Sequence, residues 1–252
     1  MGIINVTPDS FSGDGLAGDL AAMVAQAKRF AAEGADILDI GGESTRPGHA
    51  PVSLEAELAR VLPAVEAVRG AVDLPISVDT QKAAVARAAL AAGADCLNDI
   101  WGLRGDPAMA GVAAEFGAPV IAMHNQHGTV YREIMADIAV GLRESLAVAA
   151  RAGIASERVI LDPGIGFGKT WEQNLVVLNR LGELRALGRP LLLGTSRKSF
   201  IGRILGTPEQ DRLEGTAASV ALGIDRGADL VRVHDVGAMA RVARVADAIV
   251  RR

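Results

Sequence analysis

The stretch PISVDTQKAAVARAALAAGADCLND, residues 75–99, contains one full cycle of a pattern that runs through the chain. Pro75 to Asp79 is a short apolar run ending in a carboxylate, residues 81–92 place Ala, Val and Leu at helical period, and Asp95 to Asp99 is a second short run with a polar end. Ala92-Gly93-Ala94 separates helix from strand. Glycine accepts the left-handed backbone that stops a helix, and the chain then turns into the next strand. Strand, helix and strand in that order form the repeating unit of a parallel sheet.

The same unit extends in both directions. Before it come Gly2 to Val6, a helix over 19–33, Asp36 to Ile40 and a helix over 53–70. After it come helices over 106–117, 133–152, 172–187, 211–226 and 236–250, interleaved with strands at 119–123, 158–162, 190–194 and 229–233. Gly34, Gly117 and Gly227 repeat the stop signal of Gly93. Eight strands and eight helices predict an α/β fold, a (β/α)8 TIM barrel. A doubly wound open sheet shares the alternation, but eight regular units in 252 residues favour closure. No Pro/Ser-rich linker, charge block or low-complexity tract interrupts the pattern, so residues 1–252 read as a single domain.

Half of the residues are hydrophobic and 22% are charged, enough apolar surface to fold without a partner and no sign of disorder. A net charge of −4 gives no electrostatic reason to expect nucleic acid or an anionic membrane as partner. No stretch approaches the ~20 apolar residues of a membrane span, and the first residues lack a basic-then-apolar signal pattern. The expectation is a cytoplasmic protein. Cys96 is the only cysteine, which excludes an internal disulfide and a thiolate metal cluster, and its strand context implies a buried, inert thiol.

In a barrel of this kind the active site is built from the C-terminal strand ends and the loops after them. Those ends carry Asn5, Asp39, Asp79, Asn98 with Asp99, His124, Asp162, Lys198, and Arg232 with His234. Any one of them could be a capping or solvated loop residue. Together they suit a nitrogen-rich heterocycle, whose N–H edges need carboxylate acceptors and amides converging from several sides. Lys198, Arg232 and His234 all come from the last two units, where barrels often bind phosphate. Arg232 and His234 share a strand face, so an ion-paired structural role is the other reading. Lys169, in DPGIGFGKT (162–170), invites a nucleotide P-loop reading. That reading fails because Pro163 stands where the frame requires glycine.

GIINVTPDSFS (2–12) and GGESTRPG (41–48) resemble the two signature segments of the dihydropteroate synthases. ISVDT (76–80), NDI (98–100), Met123-His124, DPGIGFGK (162–169), SRKS (196–199) and RVHD (232–235) resemble that family's other motifs, in order and at the expected strand ends. The resemblance covers essentially the whole chain. It implies displacement of pyrophosphate from 6-hydroxymethyl-7,8-dihydropterin pyrophosphate by the amine of p-aminobenzoate, giving 7,8-dihydropteroate in folate biosynthesis. By the same resemblance Asp79, Asn98, Asp162 and Lys198 hold the pterin, and Met123 lines its face. Asn5, Arg232 and His234 bind the diphosphate, with Mg2+ bridging its oxygens and Asn5. Phe11, Thr45, Arg46, Pro47, Phe167 and Ser199, the last at the start of helix seven, receive p-aminobenzoate. Lys198, Asp79, Arg232 and His234 carry the catalysis. The aryl amine is neutral at pH 7, so no general base is assigned.

The resemblance also implies a homodimer formed through the later barrel helices. The intact Gly-Glu-Ser-Thr-Arg-Pro segment implies a sulfonamide-sensitive form. The chain departs from the family pattern at Ser12-Gly13-Asp14-Gly15, where the acid is displaced by one position. It departs again at Met1, which directly precedes the first strand where relatives commonly carry a strand or hairpin, so the chain reads as shortened or as starting upstream. The extension Asn125-Gln126-His127-Gly128 has no match, and His124 and His127 read as solvated loop residues without a role. Two rivals remain: a pterin-binding methyltransferase domain, which leaves Thr45-Arg46-Pro47 unexplained, and a non-catalytic folate-binding scaffold.

Overall fold

The computed structural model describes residues 1–7, 19–44 and 51–251. Phe11, Asp14, Thr45, Arg46 and Pro47 lie outside the described residues. Eight strands run in chain order: β1 Gly2–Asn5, β2 Leu38–Gly41, β3 Ile76–Asp79, β4 Cys96–Asp99, β5 Val120–Met123, β6 Val159–Asp162, β7 Leu192–Leu193 and β8 Leu230–Val231. Strands β1 to β6 pair in parallel, each with the next, and β7 pairs in parallel with β8. Parallel bridges Leu161↔Leu191 and Gly2↔Val233 join the two sheets at both seams. Hydrogen bonds from Ile3 N–H to the Val233 carbonyl and from Val233 N–H to the Met1 carbonyl, both 3.0 Å, close the ring. The closed parallel barrel leaves no open edge, and the fold is the (β/α)8 TIM barrel.

Alternation along each strand creates two cores. Outward residues such as Ile4, Leu38, Ile40, Ile76, Val78 and Leu97 pack against the surrounding helices. Inward residues form a small separate cluster, with Met1, Cys96, Ile121 and Leu192 filling the base of the barrel. Cys96 is buried and free, and burial pushes its thiol up to about 12. Being buried on both faces is why these strands read as short apolar runs that turn polar only where they reach the mouth.

The helices are α1 Leu20–Glu33, α2 Leu54–Arg69, α3 Ala83–Ala91, α4 Met109–Phe116, α5 Ile134–Arg151, α6 Trp171–Asn179, α7 Ser199–Leu205, α8 Leu213–Asp225 and α9 Val236–Val250. The glycine stops hold: Gly34, Gly93, Gly117 and Gly227 all have φ between +61° and +109°. Two expectations are corrected. The helix over 172–187 is not continuous, because α6 ends at Asn179 and a 3-10 helix takes over at Leu181–Leu187. Gly182 sits at that junction, and glycine inside a helix costs ~1 kcal/mol relative to alanine. The seventh helix is two elements. Ser199 begins α7, which Gly206 (φ +70°) stops, and 211–226 corresponds to α8. The described residues therefore hold nine α-helices instead of eight. None is long and apolar enough to cross a membrane.

Candidate active site

The C-terminal strand ends surround a cavity of about 400 Å3. Parallel register sets its floor: Asn5 pairs with Gly41, Gly41 with Asp79, and Asp79 with Asn98, so these four occupy one row across β1 to β4. Met123 and Asp162 form the matching pair on β5 and β6. All but Gly41 of these six residues were expected at the site, and the barrel brings them to one cavity together with Phe167, Lys198, Ser199, Arg232 and His234.

Beneath this row lies Asp39, two residues before Gly41 and therefore facing the same way, with no exposed surface. Arg232 links it to Asp79. The guanidinium donates from Nε to Asp39 Oδ2 (2.5 Å) and from Nη2 to Asp79 Oδ2 (2.8 Å). Asn98 Nδ2 also donates to Asp39 Oδ2, at 3.2 Å. One guanidinium between two buried carboxylates leaves a net negative charge. Burial, reinforced by Asp39 and opposed by Arg232, pushes the Asp79 carboxyl up to about 7. The second oxygen of each carboxylate is buried and has no hydrogen-bond partner among the described residues. Unpaired buried acceptors are costly unless something arrives to satisfy them. Arg232 is thus ion-paired, as its structural reading required, and it also lines the cavity.

Asp162 ends β6 and accepts from the Gly164 N–H at 2.7 Å. Burial pushes its carboxyl up, against that hydrogen bond and the charges of Lys198, Lys169 and Arg232. Lys198 reaches across from the start of α7, donates to the Ile165 carbonyl and lies 4.5 Å from the centre of the Phe167 ring. His234 and Ser196 form the opposite wall. Ser196 Oγ accepts the His234 N–H at 3.1 Å and meets its Nδ1 at 3.0 Å. Arg197, in left-handed backbone (φ +57°), is held by Asp235 through two hydrogen bonds of 2.7 and 3.0 Å. Ser199 is exposed at the rim. The carboxylates and Asn98 therefore offer hydrogen-bonding groups to a heterocycle, and Lys198, Arg232 and His234 bring basic side chains to the same cavity.

Several residues of the site leave little mark in the sequence. Asp39 reads from the sequence as one more strand-end polar residue, yet a carboxylate amid apolar strand residues needs a partner, and that need is the available signal. Glu57, with no exposed surface, accepts from Thr80 Oγ1 (2.6 Å) and Lys82 Nζ (2.5 Å), and Lys82 also bonds Glu43 at the cavity edge. Their helical and loop positions gave no signal in sequence. His124 is a correction. It is 4% exposed, packs on Gly141 and contacts Lys169 at 3.3 Å, so it is not a solvated loop residue. Burial pushes its imidazole down to about 3, which keeps it neutral. His127 is exposed and lies against Trp101, with ring centres 4.9 Å apart.

A family model described as pterin binding enzyme matches residues 1–234. A dihydropteroate synthase of Clostridium beijerinckii is 51% identical over 253 residues, covering 100% of this chain and 94% of that protein. The crystal structure of dihydropteroate synthase from Clostridium difficile, in the presence of pteroic acid, superposes with a TM-score of 0.95 at 50% identity, over 100% of this chain and 96% of the other. The Yersinia pestis dihydropteroate synthase in complex with a sulfonamide drug gives 0.95 at 42% identity, over 99% and 93%. The chain therefore belongs to the pterin-binding enzymes and, among them, to the dihydropteroate synthases.

Proposed function

We propose that residues 1–252 form one catalytic domain whose mouth joins 6-hydroxymethyl-7,8-dihydropterin pyrophosphate to p-aminobenzoate, releasing pyrophosphate and giving 7,8-dihydropteroate for folate synthesis. The observation that carries this assignment of the site is the convergence of two buried carboxylates, Asp79 and Asp162, with Asn98, Lys198, Arg232 and His234 around one cavity, Asp39 lying beneath them. Asp79, Asn98, Asp162 and Lys198 bind the pterin, with Asp162 accepting from its 2-amino and N3 edge and Met123 against its face. Asn5, Arg232 and His234 take the diphosphate. Phe167 and Ser199 receive p-aminobenzoate, and the family resemblance assigns it Phe11, Thr45, Arg46 and Pro47 as well.

The bond from the pterin methylene to the diphosphate oxygen breaks, and the electron pair leaves with pyrophosphate. The amine nitrogen then bonds to that carbon and sheds a proton to water. Charge grows on the departing oxygens, so cations already in place lower the barrier more than they tighten substrate binding. The donor set suits Mg2+ as a cofactor that arrives with the diphosphate. Among the described residues no group of three His, Cys, Asp or Glu side chains could hold a metal, whereas the Asn5 amide oxygen at the cavity wall is one hard donor. When bound, the ion would neutralise leaving-group charge.

The test is pyrophosphate release by the purified protein with Mg2+ and the pterin pyrophosphate. Release should require p-aminobenzoate, collapse in Asp79→Ala and be competitively inhibited by a sulfonamide. Pterin binding without p-aminobenzoate-dependent release would favour a methyltransferase or a binding protein. A homodimer is part of the same reading. Ile204, Leu222, Val245 and Ile249 on α7, α8 and α9 are 47–69% exposed, an apolar surface suited to a second copy. Light scattering at micromolar concentration should return twice the chain mass, and a monomer would contradict it. A cytoplasmic location accords with the free, buried Cys96.

A further inference from the structure

The loop joining β6 to α6 carries Phe167 to the cavity, and it is wrapped around the side chain of one of its own residues. Lys169 is 8% exposed, and its Nζ donates to the Gly164 and Phe167 carbonyls, each at 3.0 Å. Its third contact is His124 Nδ1 at 3.3 Å. An ammonium has three protons, and here it meets three acceptors. A neutral amine would satisfy the same site, because it still donates to both carbonyls and can accept from His124 in its other tautomer. The clamp therefore persists across the titration of Lys169, which burial pushes down to about 7.

Three left-handed glycines, Gly164, Gly166 and Gly168 (φ +73°, +84° and +55°), let the backbone curve around this nitrogen. The outside of the loop is pinned as well. Asn174 Oδ1 accepts the Gly166 N–H at 2.7 Å, and the Tyr131 hydroxyl donates to the Gly168 carbonyl at 2.8 Å. A Cβ at Gly164 would stand 2.0 Å from the His124 carbonyl oxygen, so the loop is seated directly on the end of β5. Lys169 itself does not line the cavity, whereas Phe167, whose carbonyl it holds, does.

We propose that Lys169 is a positioning residue for the p-aminobenzoate subsite, fixing residues 164–167 from within so that the Phe167 ring stays against Lys198. This rests on the reading of Phe167 as a p-aminobenzoate contact. Lys169→Met keeps the length of the stem and removes every donor. The measurements are KM for each substrate, kcat, and amide hydrogen exchange over residues 164–168, with Phe167→Ala alongside. A pair of lost hydrogen bonds of this kind should raise exchange and the KM for p-aminobenzoate by about tenfold or more, with a distinctly smaller rise in the KM for the pterin pyrophosphate, since the Gly164 N–H also bonds Asp162. Phe167→Ala should raise the same KM, and the double variant should add little to either single one.

Wild-type exchange in Lys169→Met overturns the inference. So does an unchanged KM for p-aminobenzoate in that variant when Phe167→Ala raises it, or an equal rise in both KM values, which a general loosening would give. A Phe167→Ala variant with unchanged KM for p-aminobenzoate removes the subsite reading itself, and the inference falls with it. If Lys169→Met does not fold, Lys169→Gln, which can still donate to one carbonyl, should show the same split at smaller size, and the same outcomes decide.

Discussion

Arg232→Met is expected to lower stability by about 3–5 kcal/mol and pyrophosphate release by at least ~100-fold, the largest combined loss at any single position of the site. The guanidinium bonds Asp39 and Asp79 at 2.5 and 2.8 Å, and those carboxylates are 0% and 5% exposed. Without it both are buried with no cation in contact. Asp79 escapes that cost only by taking up a proton, so the deficit must depend on pH. Asp79 already sits at about 7 with Arg232 present, against about 4 for an ordinary aspartate. A carboxyl raised in the folded state holds a proton that the unfolded chain has released, so its contribution to stability falls as pH rises from about 4 to the folded value. Arg232→Met extends that window upward and deepens it. Urea denaturation should therefore show a larger deficit near pH ~8 than near pH ~5. Adding Asp39→Asn should recover stability without recovering turnover. An equal deficit at both pH values would show that the loss is one of packing.

The division between what could be read from the chain and what could not follows the physics of each feature. Strands buried on both faces and helices ended by Gly34, Gly93, Gly117 and Gly227 leave periodic, local marks, and the barrel was legible from them. Closure is not local. It rests on Gly2↔Val233 and Leu161↔Leu191, pairings between segments whose sequences say nothing of each other. The polar strand ends converge as their register requires, so Asn5, Asp79, Asn98 and Asp162 could be named in advance. Their charge states could not, because Asp79 depends on Arg232, which lies 153 residues away in the chain. Lys169 shows the limit most clearly. Its glycine-rich setting looked like a loop for a foreign phosphate, and the P-loop frame failed. What the loop encloses is its own lysine, visible only once Gly164, Gly166 and Gly168 are seen in left-handed backbone.

Lys198→Met should instead leave the fold nearly intact and remove most of the activity. The side chain is only partly buried, donates to the Ile165 carbonyl and lies over the face of Phe167 at 4.5 Å. A cation over an aromatic ring is worth ~0.5–1 kcal/mol at a partly exposed site, so the stability change should stay within about 2 kcal/mol. The catalytic loss is of a different order. Lys198 brings a positive charge to the carboxylate side of the cavity, where the pterin edge is held, and it is first among the cations that draw the Asp162 carboxyl down. Losing a group that orients the reacting pterin costs on the order of 100-fold in rate. Its removal should also move the acid limb of the kcat/KM profile to higher pH, since Asp162 loses the cation that helps keep it ionised. Lys198→Arg should not restore the rate. The lysine stem runs against Gly166, where even a Cβ would stand 3.0 Å from Lys198 Cδ, and a planar fork cannot replace a single ammonium in that passage. Turnover within about threefold of wild type in Lys198→Met, or an unshifted acid limb, would take Lys198 out of the pterin site and leave it as a support for Phe167.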